Sequence, residues 1–116
     1  LKLIFIEQGQ LINNSKEQPV IYSVDSFIEA YKTQLEAGVI WQLQEREIHA
    51  VTEVFGKIAH RFSTYALFIN NQDQPLSKGI NSIQLIQEKG IWKVSCMVWD
   101  EQNDTVLIPK KYSNTL

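Results

Sequence analysis

The sequence predicts one α+β domain in which a strongly curved antiparallel sheet wraps around a helix. Three observations predict it. Two pairs of long alternating segments, 41–54 with 58–70 and 80–87 with 92–101, each meet at a short glycine-containing turn, as β-hairpins do. One segment, 25–37, carries apolar residues at helical spacing between a capping sequence and a glycine. The chain is 116 residues long, a length that suits one domain with its own core, spanning 1–116.

Taken in order, residues 1–6 are apolar and too few for periodicity to separate strand from helix. Gly9 marks a turn, Leu11-Ile12 a short strand, and Asn13 to Lys16 a polar loop. Pro19 to Tyr22 reads as extended. The helix follows: Ser26 with Glu29 makes a capping box, and Val24, Phe27, Ile28, Tyr31 and Leu35 form one stripe. Gly38 supplies the left-handed residue that ends it.

The first hairpin poses a choice of register. A two-residue turn at Gly56-Lys57 sets Glu45, Glu47 and Glu53 on the face of Phe62 and Ala66. A three-residue turn at Phe55-Gly56-Lys57 groups Ile48, Ala50 and Val54 with Ile58, Phe62 and Ala66. Glu45, Glu47, Glu53, Arg61 and Ser63 then share the other face. Burying unpaired carboxylates is costly, so the three-residue turn is expected. In the second hairpin, turning at Glu88-Lys89-Gly90, Ile83 and Leu85 match Trp92, Val94, Cys96 and Val98. Ile86, Ile91, Met97 and Trp99 then lie on the outer face, which predicts a homodimer through that face. In the tail, Val106 to Ile108 reads as extended, and Pro109 limits strand pairing.

Composition narrows the function classes. Net charge is −2 and the basic residues are scattered, so nothing draws the chain to nucleic acid or an anionic membrane. No apolar run reaches the roughly 20 residues of a membrane span. Cys96 is the single cysteine, which fits a reducing, cytoplasmic setting and forbids an intrachain disulfide. It sits on an apolar face in the expected register, where a thiol is an inert hydrophobe. His49 and His60 fall on opposite faces in that register and do not converge, so no metal site is expected. Neither a Gly-rich phosphate loop nor a nucleophile elbow is present, and no cofactor is expected.

The run Gly79-Ile80-Asn81-Ser82-Ile83-Gln84-Leu85, then Gly90-Ile91-Trp92-Lys93-Val94, then Val98-Trp99-Asp100-Glu101, resembles the C-terminal hairpin of the nuclear transport factor 2-like superfamily. So do Phe55 to His60 with Ser63-Thr64-Tyr65 at the central hairpin, and Phe5 with Gly9 and Leu11-Ile12 at the first strand. The resemblance spans residues 5–101 and rests on structural motifs. It implies a cone with a pocket at its open end, and frequent homodimers. It also implies a range of roles: steroid isomerases, polyketide cyclases, dehydratases, epoxide hydrolases and non-catalytic assembly domains. The opening helices of the family are missing from the pattern, or residues 1–6 are what remains of them.

The expected register places Arg46, Thr52, His60 and Thr64 on the concave face, with Asn81 and Asp100 on the matching face of the second hairpin. Tyr22 and Tyr31 reach them from the chain before and within the helix. Phe62, Leu85, Ile83 and Val98 supply apolar walls, giving the make-up of a small-molecule site. His60 is the candidate acid–base group, oriented by Asp100; the bland alternative is a histidine bonded to Thr52 or Thr64. Asp100 is a candidate general base, against a solvated strand-end aspartate. Arg46 can hold a ligand carboxylate, or pair at the rim.

Two uses compete. The first is a non-catalytic domain for a small hydrophobic ligand or for homodimeric assembly. The second is a small proton-transfer enzyme, an isomerase, cyclase or dehydratase. Convergence of His60 and Asp100 separates them.

Overall fold

The computed structural model describes residues 4–38 and 42–113. Six strands form one sheet: β1 (Phe5–Asn13), β2 (Val20–Ser23), β3 (Leu43–Phe55), β4 (Ile58–Ile69), β5 (Ser77–Glu88) and β6 (Ile91–Glu101). One helix, α1 (Val24–Glu36), follows β2, and a 3₁₀ turn, Lys110–Tyr112, lies in the tail. The strand order is β2-β1-β6-β5-β4-β3. Every neighbour pair is antiparallel except β1 with β6, which run parallel.

Helix α1 starts one turn earlier than its expected box. Ser23 is the N-cap: its Oγ accepts from the Ser26 backbone N–H at 3.0 Å, while the Ser23 N–H donates to Ser26 Oγ at 2.9 Å. Two orphan donors are satisfied by two serines. Gly38 has φ +78°, and its N–H donates to the Leu35 carbonyl at 3.1 Å, closing the helix as expected. Val24 is buried, and Phe27 and Ile28 pack on the core of Phe5, Leu11, Val24 and Val94. Tyr22, Ile83, Leu85, Met97 and Trp99 extend that core across the sheet. The sheet surface under α1 is the helix face; the opposite surface is the outer face.

The expected three-residue turn is not what forms. Phe55 pairs with Ile58 around a two-residue turn, with Gly56 at φ +54°. A positive φ at the first turn position suits the right-handed twist of a hairpin. Two of the three carboxylates nevertheless leave the face of Phe62 and Ala66. Register shifts at Ile48, where Glu47 pairs with Tyr65 and His49 with Thr64. This single-residue bulge reverses the facing of everything before it. Glu45 and Glu47 therefore share a face with Arg61 and Ser63, but it is the helix face and not the outward one expected of them, while Glu53 lies on the outer face opposite His60.

A second shift corrects the other hairpin. Gln84 pairs with Cys96 but Leu85 pairs with Val94, so Ser95 is the extra residue. Met97 then joins Ile83, and Trp99 joins Asn81, on the helix face. Both pack on the core, and Trp99 meets Phe27 edge to face at 6.0 Å. They are not on the outer face, where alternation without a bulge places them. Val98 and Cys96 are the ones that turn outward, with Ser82 and Gln84.

Gly79 marks a close approach. A Cβ built there meets Tyr65 Oη at 2.5 Å and also the Asp100 carbonyl, so the tyrosine ring lies across the glycine on the neighbouring strand. After β6 the chain folds back over the outer face. Asn103 Oδ1 accepts from the Thr105 and Val106 N–H groups at 2.9 Å each, and Tyr112 reaches Phe62, ring centroids 5.0 Å apart. The expected extended piece at Val106 to Ile108 pairs with no strand.

Candidate functional site

The two bulges decide which side chains meet. On the helix face, beyond the end of the apolar core, a polar floor forms from β3, β4 and β5. Ser63, Tyr65 and Asn81 are buried there, at 4%, 6% and 6% exposure. Arg61 clamps Glu47 through two nitrogens and donates to Thr52 Oγ1 at 2.6 Å. Ser63 Oγ donates to Glu47 Oε2 at 2.6 Å, and Asn81 Nδ2 donates to Glu45 Oε1 at 3.1 Å. The Arg61 hydrogen bond, against the opposing effect of burial, holds the Glu47 carboxyl below its usual range. Burial, with Glu101, Glu45 and Asp100 nearby, pushes the Tyr65 phenol well above its ordinary value, so it keeps its proton and remains a donor.

Of the expected site residues, Asn81 and Thr52 belong to this floor. Tyr22 and Leu85 lie on the same face but inside the core; Tyr22 packs edge to face on Phe27 at 5.5 Å. Tyr31 is half-buried on α1.

The remaining candidates lie on the outer face, so the sheet itself separates them from Asn81 and Thr52. Arg46 pairs with Ala66, and its guanidinium sits 4.4 Å above the Phe68 ring. Thr64 is fully buried and donates to the Tyr112 carbonyl, which ties down the tail. Phe62 backs onto Tyr112. His60 bonds Glu53 at 2.7 Å, and both side chains are more than half exposed. Asp100 Oδ1 accepts from the Glu101 backbone N–H at 2.7 Å. His60 pairs with Gln84, whereas Asp100 pairs with Ile80, four residues along and one strand further on. Standard strand spacings put the two roughly 16 Å apart. The structure does not bring them together, and neither lies on the helix face. His49 and His60 share the outer face rather than opposing ones, about 14 Å apart by the same spacing. Among the described residues no three His, Cys, Asp or Glu side chains cluster as metal ligands would.

Sequence reasoning missed three features. Glu47, Arg61 and Ser63 form a buried-edge network whose only sequence signal is their shared face. Tyr65 over Gly79 is a cross-strand pair visible only once the register is known. The tail builds a cleft of about 270 Å³ against the outer face, walled by Phe62, Ile80, Val98, Val106, Leu107 and Ile108. No helix among the described residues is long and apolar enough to cross a membrane.

No protein-family model matches this sequence. No curated protein matches it either. Solved structures do match. A protein of unknown function from Silicibacter pomeroyi, described as NTF-2 like, superposes with a TM-score of 0.62 at 14% identity, covering 87% of this chain and 76% of the other. A Nostoc punctiforme protein of unknown function with a cystatin-like fold gives 0.69 at 10% identity over 88% and 74%. The yeast UBP3-associated protein BRE5 gives 0.63 at 12% identity over 88% and 79%. A six-stranded curved sheet closed on one helix, with its first strand parallel to its last, is thus the cystatin-like fold of the nuclear transport factor 2-like proteins, and this chain has that fold.

Proposed function

We propose that the domain acts by binding rather than by proton transfer, as a homodimeric assembly unit joined through its outer sheet face. The observation that carries this reading is an exposed apolar stripe at the β3–β4 end of that face. Phe55 is 83% exposed, Ile58 60% and Val51 41%, and the three sit on paired positions of one surface. Ile86 lies beside Ile58 on β5. Apolar groups gathered at one end of a sheet mark an interaction surface. A surface that meets its own copy about a two-fold axis needs no second partner, and the hydrogen-bonded Glu53–His60 pair beside the stripe gives it a polar rim.

The shape supports the same reading. The radius of gyration is 15.1 Å, above the roughly 13.4 Å expected of a closed globule of this length. One 13-residue helix covers one part of one face of the sheet, and among the described residues the other face carries only the tail. The description of the yeast neighbour as UBP3-associated is likewise of a protein that works beside another.

Sedimentation of the purified chain tests this. The expected mass is twice the 13.4 kDa of one chain, falling to one chain in Ile58→Glu with an unchanged circular dichroism spectrum. A wild-type protein that sediments as a single chain at high micromolar concentration removes the reading.

A further inference from the structure

The cleft beneath the tail shares the outer face with that stripe and adjoins it where Phe62, a cleft wall, pairs with Val51. Its far end, at Ile80, lies six residues along β5 from Ile86, about 20 Å by strand rise. Its floor is the outer face of β4, β5 and β6, and its far wall is the tail. The walls are apolar side chains from both. At about 270 Å³ it falls just under the usual 300–1,000 Å³ range of small-molecule sites, so it suits a compact ligand.

The charged groups at its edge have one sign: among the described residues Asp100 and Glu101 both line it, and no lysine, arginine or histidine does. Among the described residues neither carboxylate has an ion-pair partner. Asp100 bonds only the adjacent backbone N–H through Oδ1, which leaves Oδ2 for a ligand. Gln102 is already engaged in holding the tail, through Ile108 N–H at 2.9 Å. An apolar hollow with a carboxylate edge and no basic group matches a ligand of opposite sign with a small apolar body.

We infer that this cleft binds a small amine, an apolar body fitting between Phe62, Val98 and the tail with its ammonium on Asp100. The site is formed by the C-terminal segment, so tail docking through Thr64 and Tyr112 also sets its width.

The test is a titration of the 116-residue chain with 2-phenylethylamine, read by amide NMR shifts, beside 3-phenylpropionate, which carries a carboxylate on the same ring and spacer. Saturable shifts at Val98, Asp100 and Leu107 are expected for the amine, with the carboxylate at least roughly tenfold weaker. Asp100→Asn is expected to weaken the amine by about the same factor. Val98→Phe, which fills the hollow, is expected to abolish binding. Should that variant fail to fold, Leu107→Lys, at a side chain 68% exposed, sets a competing cation at the mouth and is expected to do the same. Absence of saturable amine binding overturns the inference. So do shifts confined to other residues, equal binding of the carboxylate, or unchanged affinity in folded Val98→Phe or Leu107→Lys. The oligomeric mass is an independent readout, so this result and that of the dimer test can each fail alone.

Discussion

Single side chains settle the packing at two places. Gly79 is required because Tyr65 occupies the space where a Cβ would project, and the Asp100 carbonyl closes it from the other side. Gly79→Ala is therefore expected to cost about 1–3 kcal/mol in urea unfolding, the usual price of overpacking. Trimming the ring with Tyr65→Leu should rescue it only in part, since the carbonyl cannot move aside. Glu47 is the other such residue. Its carboxyl titrates below the ordinary 4.5 because Arg61 and Ser63 bond its charged form. A lowered folded-state value stabilises the fold above the unfolded value and loses that contribution as pH falls through the folded one. Between about pH 6 and pH 3, wild type should lose more stability than Glu47→Gln, measured as urea midpoints. The difference should be small, because both partners are about 40% exposed and solvent screens the pair.

At the scale of elements, the helix gives a clean contrast between what sequence suggests and what forms. Ser26 and Glu29 match the capping pattern, but Ser23 and Ser26 carry the bonds. Ser23→Ala should cost about 1 kcal/mol in thermal or urea unfolding, and Glu29→Ala close to nothing. The helix, both hairpins and the turn glycines were legible because periodicity and turn chemistry are local properties. The facing of half the strand residues was not. A bulge is one unpaired residue, and neither Ile48 nor Ser95 differs in type from its neighbours in a way that announces it. Alternation read straight through Ser95 put Met97 and Trp99 outside and Val98 inside, the reverse of their places; Phe62 and Thr64, on unbulged β4, were turned inward by taking their face as the concave one. Asn81 and Thr52 lie on the helix face, where the sequence placed them, but the groups expected beside them lie on the other face. The acidic segregation that motivated a three-residue turn is not what the structure uses: Glu45 and Glu47 lie on the helix face and are satisfied there by Asn81, Arg61 and Ser63.

For the molecule as a whole, the sheet has two unlike surfaces. One is covered in part by α1 and ends in an ion-paired polar floor; the other carries exposed apolar groups, a strapped-down tail and the cleft beneath it. Structural neighbours at 10–14% identity share the scaffold and are mostly of unknown function, so chemistry has to be argued from these surfaces.

The parallel pairing of β1 with β6 carries a further consequence. The first strand's second neighbour, after β2, is the last strand of the sheet, so during synthesis the β1–β2 ribbon and its helix must wait, half-assembled, until β6 leaves the ribosome. Closure of that long loop makes a slow, late step of the kind that contact order predicts. Until then the greasy underside of α1 stays open to wrong partners.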